Sequence, residues 1–228
     1  KLGFNKNAYV IASKAQAEML EYQLGSEVRV IIEPERKDTF PAIAISVLYL
    51  LELERMDPKE TVVVLPVDSF VGDDFFDSLG ELNRLVQSGD ANIALVGAKP
   101  TYPSEKYGYV LPGHVVKTGI YKVKHFVEKP DERKAQQLLK QNALWNCGVF
   151  AFRPSYLLDI LAELQYPRQY KLFYDCYEHL RAISFDYEVL ENADHLCVVQ
   201  YDGDWKDIGT WNTLTETLTE AVIGNGRV

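Results

Sequence analysis

The chain has 228 residues, which suits one large α/β domain with a core that needs no disulfide support. Hydrophobic residues make up 47% and charged residues 25%, and the net charge of −9 argues against a general nucleic-acid binder, which needs a basic face. The three cysteines (Cys147, Cys176, Cys197) are far apart and the four histidines lack metal-ligand spacing, so no disulfide framework or zinc site is expected and a reducing cytoplasm is the expected compartment.

No apolar run approaches the roughly 18–20 residues of a membrane span, so no membrane partner is expected, and the opening KLGFNKNAYV lacks a signal-peptide pattern. Residues 8–13 (AYVIAS) read as a buried strand, 14–24 as a helix stopped by Gly25, and 27–32 (EVRVII) as a second strand. The polar loop EPERKDTF leads to Pro41, well placed as the first residue of a helix reaching about Arg55. Residues 61–65 (TVVVL) are the most continuous β-branched run and read as a central parallel strand covered on both faces. A helix over 73–87 and a strand over 92–98 (NIALVGA) follow. This alternation predicts a parallel sheet with helices on both sides. From Tyr107 the pattern changes to short strands at 107–111, 119–128 and 148–153, with helices near 131–141, 154–163 and 210–221. No repeat, low-complexity tract or linker divides the chain, so one domain over 1–228 is expected, with a parallel half and a more mixed half.

Several short segments carry residues suited to phosphate and sugar chemistry. Asp68, in LPVDS, stands just past the TVVVL strand, where ligands of open α/β sheets gather. A carboxylate there suits Mg²⁺, which takes hard oxygen ligands; the plain structural reading is a turn or cap residue. Asp207, in DGDWKDIGTW, is a second carboxylate in an acidic loop with Asp202 and Asp204, where Gly209 allows close backbone approach and Thr210 suits a helix N-cap. Glu128 and Lys129, in FVEKPDE, combine an acceptor for sugar hydroxyls with a mobile positive charge for a phosphate, though exposed Glu-Lys pairs are commonly only solvated. In the 33–41 loop, Arg36 and Lys37 supply charge for phosphates, and Asp38 or Thr39 suits a helix cap. Tyr107, Tyr109 and Trp145 read as packing, whereas Asn146 both donates and accepts and suits a sugar hydroxyl.

In this order, EPERKDTFPAIA, VVVLPVDSF, YGYV, FVEKP, LWNCGVFAF, ISFDYEVLE and GDWKDIGTW resemble the nucleotidyltransferase domain of the mannose-1-phosphate guanylyltransferases, over about residues 31–214. The resemblance implies a Rossmann-like mixed α/β fold of the nucleotide-diphospho-sugar transferase type, with a mainly parallel sheet and helices on both faces. It implies transfer of GMP from GTP to mannose 1-phosphate, giving GDP-mannose and pyrophosphate. It makes Asp68 and Asp207 the Mg²⁺ carboxylates and, with Lys129 on the sugar phosphate, the catalytic set. Gly108, Glu128, Asn146 and Gly148 correspond to sugar-binding positions, and Glu33, Pro34, Arg36 and Thr39 to the loop bordering the guanine. Two departures stand out: Ser69 replaces a frequent family His, and no GGxGxR phosphate loop occurs in the sequence. The chain by itself is therefore expected to bind a sugar phosphate better than it turns it over. Another sugar-1-phosphate nucleotidyltransferase (glucose 1-phosphate with UTP or dTTP) and a non-catalytic sugar-nucleotide-binding domain of the same fold stay open, as does homo-oligomerisation.

Overall fold

In the computed structural model, which describes residues 7–25 and 28–208, the β-branched and aromatic runs form one six-stranded sheet and two small ribbons. Strands β1 (Tyr9–Ser13) and β2 (Arg29–Glu33) pair in parallel across the crossover helix α1 (Lys14–Leu24). Ser13 and Gln16 form a capping box at the start of α1, and Gly25 ends it with φ 73°. Helix α2 (Thr39–Glu52) starts where the Asp38 carboxylate accepts the Thr39 N–H at 2.7 Å, and it buries Phe40, Ile43, Ala44, Ile45, Val47 and Leu48.

The chain continues through β3 (Val62–Val64), β4 (Ser69–Val71), α3 (Asp77–Ser88) and β5 (Ile93–Ala98). Then come β6 (Tyr109–Lys117), β7 (Ile120–Val127), α4 (Glu132–Leu139), β8 (Leu144–Phe152) and α5 (Pro154–Glu163). Helix α6 (Tyr170–Asp175), a π-helical turn (Asp186–Leu190), β9 (Leu196–Tyr201) and β10 (Trp205–Asp207) complete the described residues. The expected helix at 210–221 lies outside them, as do Gly209 and Thr210. Among the described residues, no helix is long and apolar enough to cross a membrane.

The mixed α/β class matches the expectation, but the sheet is less parallel than the local pattern implies. Its order is β3-β8-β5-β9-β7-β6, and only β5–β9 runs parallel. Strands β3 and β5 point the same way but are not neighbours: β8 lies between them, antiparallel to both, with Phe152 opposite Val62 on one side and Ile93 on the other. The composition of β8 explains its place. Val149, Phe150, Ala151 and Phe152 are buried on both faces, as a central strand requires.

Successive side chains of a strand point to opposite faces, and the core divides accordingly. Ile93, Leu95, Phe150 and Phe152 pack with α2, α5 and Phe185, whose ring stacks on Phe150 at 4.7 Å. Ala94, Val96, Val149 and Ala151 face Leu79, Leu82, Leu85 and Val86 of α3. Bulky residues fill one side and small ones let α3 approach on the other, so helices cover both faces of the sheet.

Candidate functional site

Strand β8 has β5 along one edge. Along its other edge it pairs with β6 at Leu144 and Trp145 and with β3 from Phe150 to Phe152. Between those pairings the edge lacks a strand partner among the described residues, and Gly148 turns the backbone there with φ 68°. A cleft of about 180 Å³ opens at this gap. Asp68, Gly108, Glu128, Lys129, Asn146, Gly148 and Asp207, all singled out by their sequence context, line it.

One wall carries two carboxylates. Strands β4 and β10 form an antiparallel ribbon with Ser69 opposite Asp207, and the Ile208 N–H donates to the Asp68 carbonyl at 3.1 Å. Asp68 and Asp207 are thus presented by adjacent strands at one end of the ribbon. Their donor set is hard oxygen, the kind Mg²⁺ takes while keeping several waters and substrate oxygens. Among the described residues, no group of three or more His, Cys, Asp or Glu gathers to cage a metal. Asp202, the neighbour of this acidic loop, is engaged elsewhere by Lys99 at 2.7 Å.

Other lining residues come from the end of β7, the first half of β8 and the residues that lead into β6. Glu128 follows β7, and Lys129 turns the chain away with φ 40°. The Lys129 ammonium lies 3.2 Å from the Glu128 carboxylate, whose side chain is 5% exposed against 51% for the lysine. Burial pushes the Glu128 carboxyl up to about 7, and nearby Asp186 adds to this while Lys129 opposes it. For Lys129 burial works downward, but the carboxylates of Glu128 and Asp186 outweigh it and the net shift is upward.

Gly108 leaves room for its neighbours: a Cβ there would lie 2.5 Å from Glu128 Oε2 and 3.1 Å from Phe126, so the Glu128 carboxylate would have to move. Its carbonyl accepts the Asn146 N–H at 2.8 Å, which ties the two strand starts together. The Asn146 side chain is held at both ends. Its Nδ2 donates to Asp186 Oδ1 at 2.7 Å, and its Oδ1 accepts the Gly148 N–H at 3.2 Å. Tyr107 packs edge-on against both Trp145 and Trp205, with ring centres 5.0 and 5.2 Å away, so the packing role expected of Tyr107 and Trp145 fits. Tyr107 and Trp205 also line the cleft.

The 33–39 loop is not brought into this cleft. Pro34 lines a separate hollow of about 490 Å³ with Glu35, Tyr174, Asp175, Tyr177 and Glu178. Glu33 accepts the Tyr177 hydroxyl at 2.9 Å, Thr39 Oγ1 accepts the Phe185 N–H at 2.8 Å, and Arg36 is exposed. Lys37, expected to face a phosphate, donates to the Glu178 carbonyl at 2.6 Å and pairs with Glu35 at 3.0 Å.

Sequence reasoning assigned no role to Asp186, which lines the cleft and bonds Asn146. Burial raises its carboxyl above the usual range, against hydrogen bonds from its own backbone and Asn146 and the charge of Lys129. The available signal was weak, because Asp186 is one of three acidic residues in ISFDYEVLE, with Glu188 and Glu191. Lys106 and Pro66 also line the cleft beside residues that were singled out.

The family model described as Nucleotidyl transferase matches residues 3–222. A putative mannose-1-phosphate guanylyltransferase of Vibrio cholerae is 32% identical over 222 residues, covering 88% of this chain and 46% of the relative. The xanthan biosynthesis protein XanB of Xanthomonas campestris is 31% identical over 230 residues, covering 92% of this chain and 47% of the relative. The chain spans about half the length of the curated relatives it matches. A solved structure described as mannose-1-phosphate geranyltransferase from Thermus thermophilus superposes with a TM-score of 0.82 at 28% identity, covering 94% of this chain and 65% of that one.

Proposed function

The chain belongs to the nucleotidyl transferase family, and on that premise we propose that it transfers GMP from GTP to mannose 1-phosphate, giving GDP-mannose and pyrophosphate. One observation carries the reading: Gly108, Glu128, Lys129 and Asn146 line a single cleft together with the carboxylates Asp68 and Asp207. Relatives named mannose-1-phosphate guanylyltransferase, in Vibrio cholerae and Escherichia coli among others, support the choice of sugar and base.

An oxygen of the sugar phosphate attacks the α-phosphorus of GTP in line; the new P–O bond forms as the α–β bridging bond breaks, and pyrophosphate leaves with that electron pair. The attacking phosphate is already ionised, so positioning and charge neutralisation carry the catalysis and no protein nucleophile is needed. Lys129 meets the negative charge of the sugar phosphate. Asn146 and Glu128 take sugar hydroxyls, and the absence of a side chain at Gly108 lets the sugar lie against backbone. As the phosphate competes for Lys129, Glu128 loses its ion pair and is pushed further toward its neutral form, in which it also donates. Asp68 and Asp207 would hold Mg²⁺, which would supply positive charge to offset that of the phosphates. The 33–39 loop borders the guanine.

The test is pyrophosphate release by the full-length protein with GTP, mannose 1-phosphate and Mg²⁺, with glucose 1-phosphate, UTP and dTTP as competitors. Turnover that prefers GTP and mannose 1-phosphate, and that falls about 100-fold or more in Asp68→Ala, is expected from loss of a metal-holding carboxylate. Preference for glucose 1-phosphate with UTP or dTTP would overturn the substrate assignment. Tight GDP-mannose binding without turnover would make the protein a sensor of that sugar nucleotide.

A further inference from the structure

The π-helical turn Asp186–Leu190 closes with the Glu191 N–H donating to the Asp186 carbonyl at 3.0 Å, a bond between residues five apart. In an α-helix, residues five apart point about 140° away from each other at 3.6 residues per turn. The wider i→i+5 closure turns them to the same side. Asp186 and Glu191 use that shared side on two different strand ends. Asp186 Oδ1 accepts the Asn146 Nδ2–H at 2.7 Å, while Glu191 Oε1 accepts the Glu128 N–H at 3.0 Å.

The turn itself is anchored. Phe185 is buried and stacks on Phe150, and its N–H is taken by Thr39 Oγ1. Ile183 exchanges backbone bonds with the start of α2, its carbonyl accepting the Phe40 N–H and its N–H donating to the Lys37 carbonyl. Asp186 therefore approaches Asn146 from a rigid base.

We propose that Asp186 is a positioning residue of the sugar wall: it fixes the side-chain amide of Asn146 so that its second N–H and the free lone pair of its oxygen are set for a sugar hydroxyl. An ionised carboxylate only accepts, so it demands the NH₂ end of the amide, and the Gly148 N–H only donates, so it demands the oxygen. Between them the amide has one orientation. With Asp186 gone, only the 3.2 Å contact from Gly148 remains, and the two orientations of the amide draw closer in energy. The sugar-facing part of this inference rests on the reading of the cleft as a sugar 1-phosphate site; the fixing of the amide does not.

Two readouts separate those parts. In the full-length protein, calorimetric binding of mannose 1-phosphate should weaken about tenfold in Asp186→Ala, on the scale of losing one charged hydrogen bond. It should recover to within about threefold in Asp186→Asn, which keeps an acceptor of the same shape, while GTP affinity stays within about twofold in both. Independently, the side-chain amide NMR signal of Asn146, identified by its loss in Asn146→Ala, should carry one downfield, exchange-protected proton that moves back in Asp186→Ala. Unchanged mannose 1-phosphate binding in Asp186→Ala, or equal weakening of both ligands, would overturn the positioning role, and an unmoved amide signal would overturn the fixing of Asn146. If Asn146→Ala itself binds mannose 1-phosphate as well as the wild type, the sugar-site reading falls instead, and the amide signal still decides the Asp186–Asn146 link.

Discussion

Replacing Glu128 by Gln removes one ionisation from a buried wall and keeps the shape of the side chain. The folded-state carboxyl titrates at about 7, against an ordinary value of 4.5. Between those two values the unfolded chain has lost this proton and the folded chain retains it. Stability from this group is therefore complete below about pH 4.5, falls as the pH rises toward 7, and levels off above. At 1.36 kcal/mol per unit the full shift corresponds to about 3 kcal/mol. Its partner Lys129 is half exposed and the cleft is open to water, so screening reduces the figure to about 1–2 kcal/mol. Gln carries no titrating proton, and other groups common to both proteins cancel in the difference. Urea unfolding of wild type and Glu128→Gln at pH 5 and pH 8, at constant ionic strength, should show the variant gaining about 1–2 kcal/mol on the wild type between the two conditions. In thermal unfolding this is an upward shift of about 2–4 °C per kcal/mol for a chain of this size. A difference that does not change with pH, or one that changes the other way, would refute the claim that burial holds this carboxyl neutral.

Three other substitutions test separate parts of the structure. Gly108→Ala places a Cβ 2.5 Å from Glu128 Oε2; calorimetry should show mannose 1-phosphate binding weakened about tenfold or more, on the scale of a lost charged contact, with the fold retained by circular dichroism. Asp207→Asn should cut Mg²⁺-dependent pyrophosphate release about 100-fold, while mannose 1-phosphate binding without metal stays within about threefold, since the carboxylate acts through the metal. Gly97→Ala forces a Cβ to within 2.8 Å of Val198 Cγ2 and 2.9 Å of Leu144 Cβ inside the central sheet; chemical denaturation should show a loss of about 1–3 kcal/mol with substrate affinities unchanged.

Local signals in the sequence located what local forces determine. Helix α1 ends at the Gly25 stop, as its sequence suggests, whereas α2 starts at Thr39, two residues before the Pro41 that marks it, because Asp38 caps it there. The seven cleft residues carry their own context: a carboxylate past a strand, a Glu-Lys pair before a helix, an Asn beside a Gly. What escapes is pairing at a distance. Runs at 61–65 and 92–98 look like adjacent parallel strands, and nothing within either reveals that β8 separates them. Strands β4 and β10, three residues each, are too short to show a period, yet they bring Asp68 and Asp207 together. Asp186 has the same character, since its work is done through an amide forty positions away. The partners of Lys37 are equally hidden in the sequence: it pairs with Glu35 inside its own loop and donates to the Glu178 carbonyl, which fastens the loop to the segment after α6.

The insertion of β8 between β3 and β5 also sets an order in time. During synthesis Val62–Val64 and Ile93–Ala98 emerge well before Leu144–Phe152, at about 5–20 residues per second. For roughly two to ten seconds two apolar strands have open edges facing the slot their partner will fill. The cleft cannot exist in that interval, because Asn146, Cys147 and Gly148 of β8 are part of its lining. Completion of the central sheet comes later still, because β9 inserts between β5 and β7 only after β8 has emerged, and the cleft waits for Asp186 and Asp207 as well. A nascent chain stalled before β8 therefore presents the open edges of β3 and β5 and is prone to misassociation.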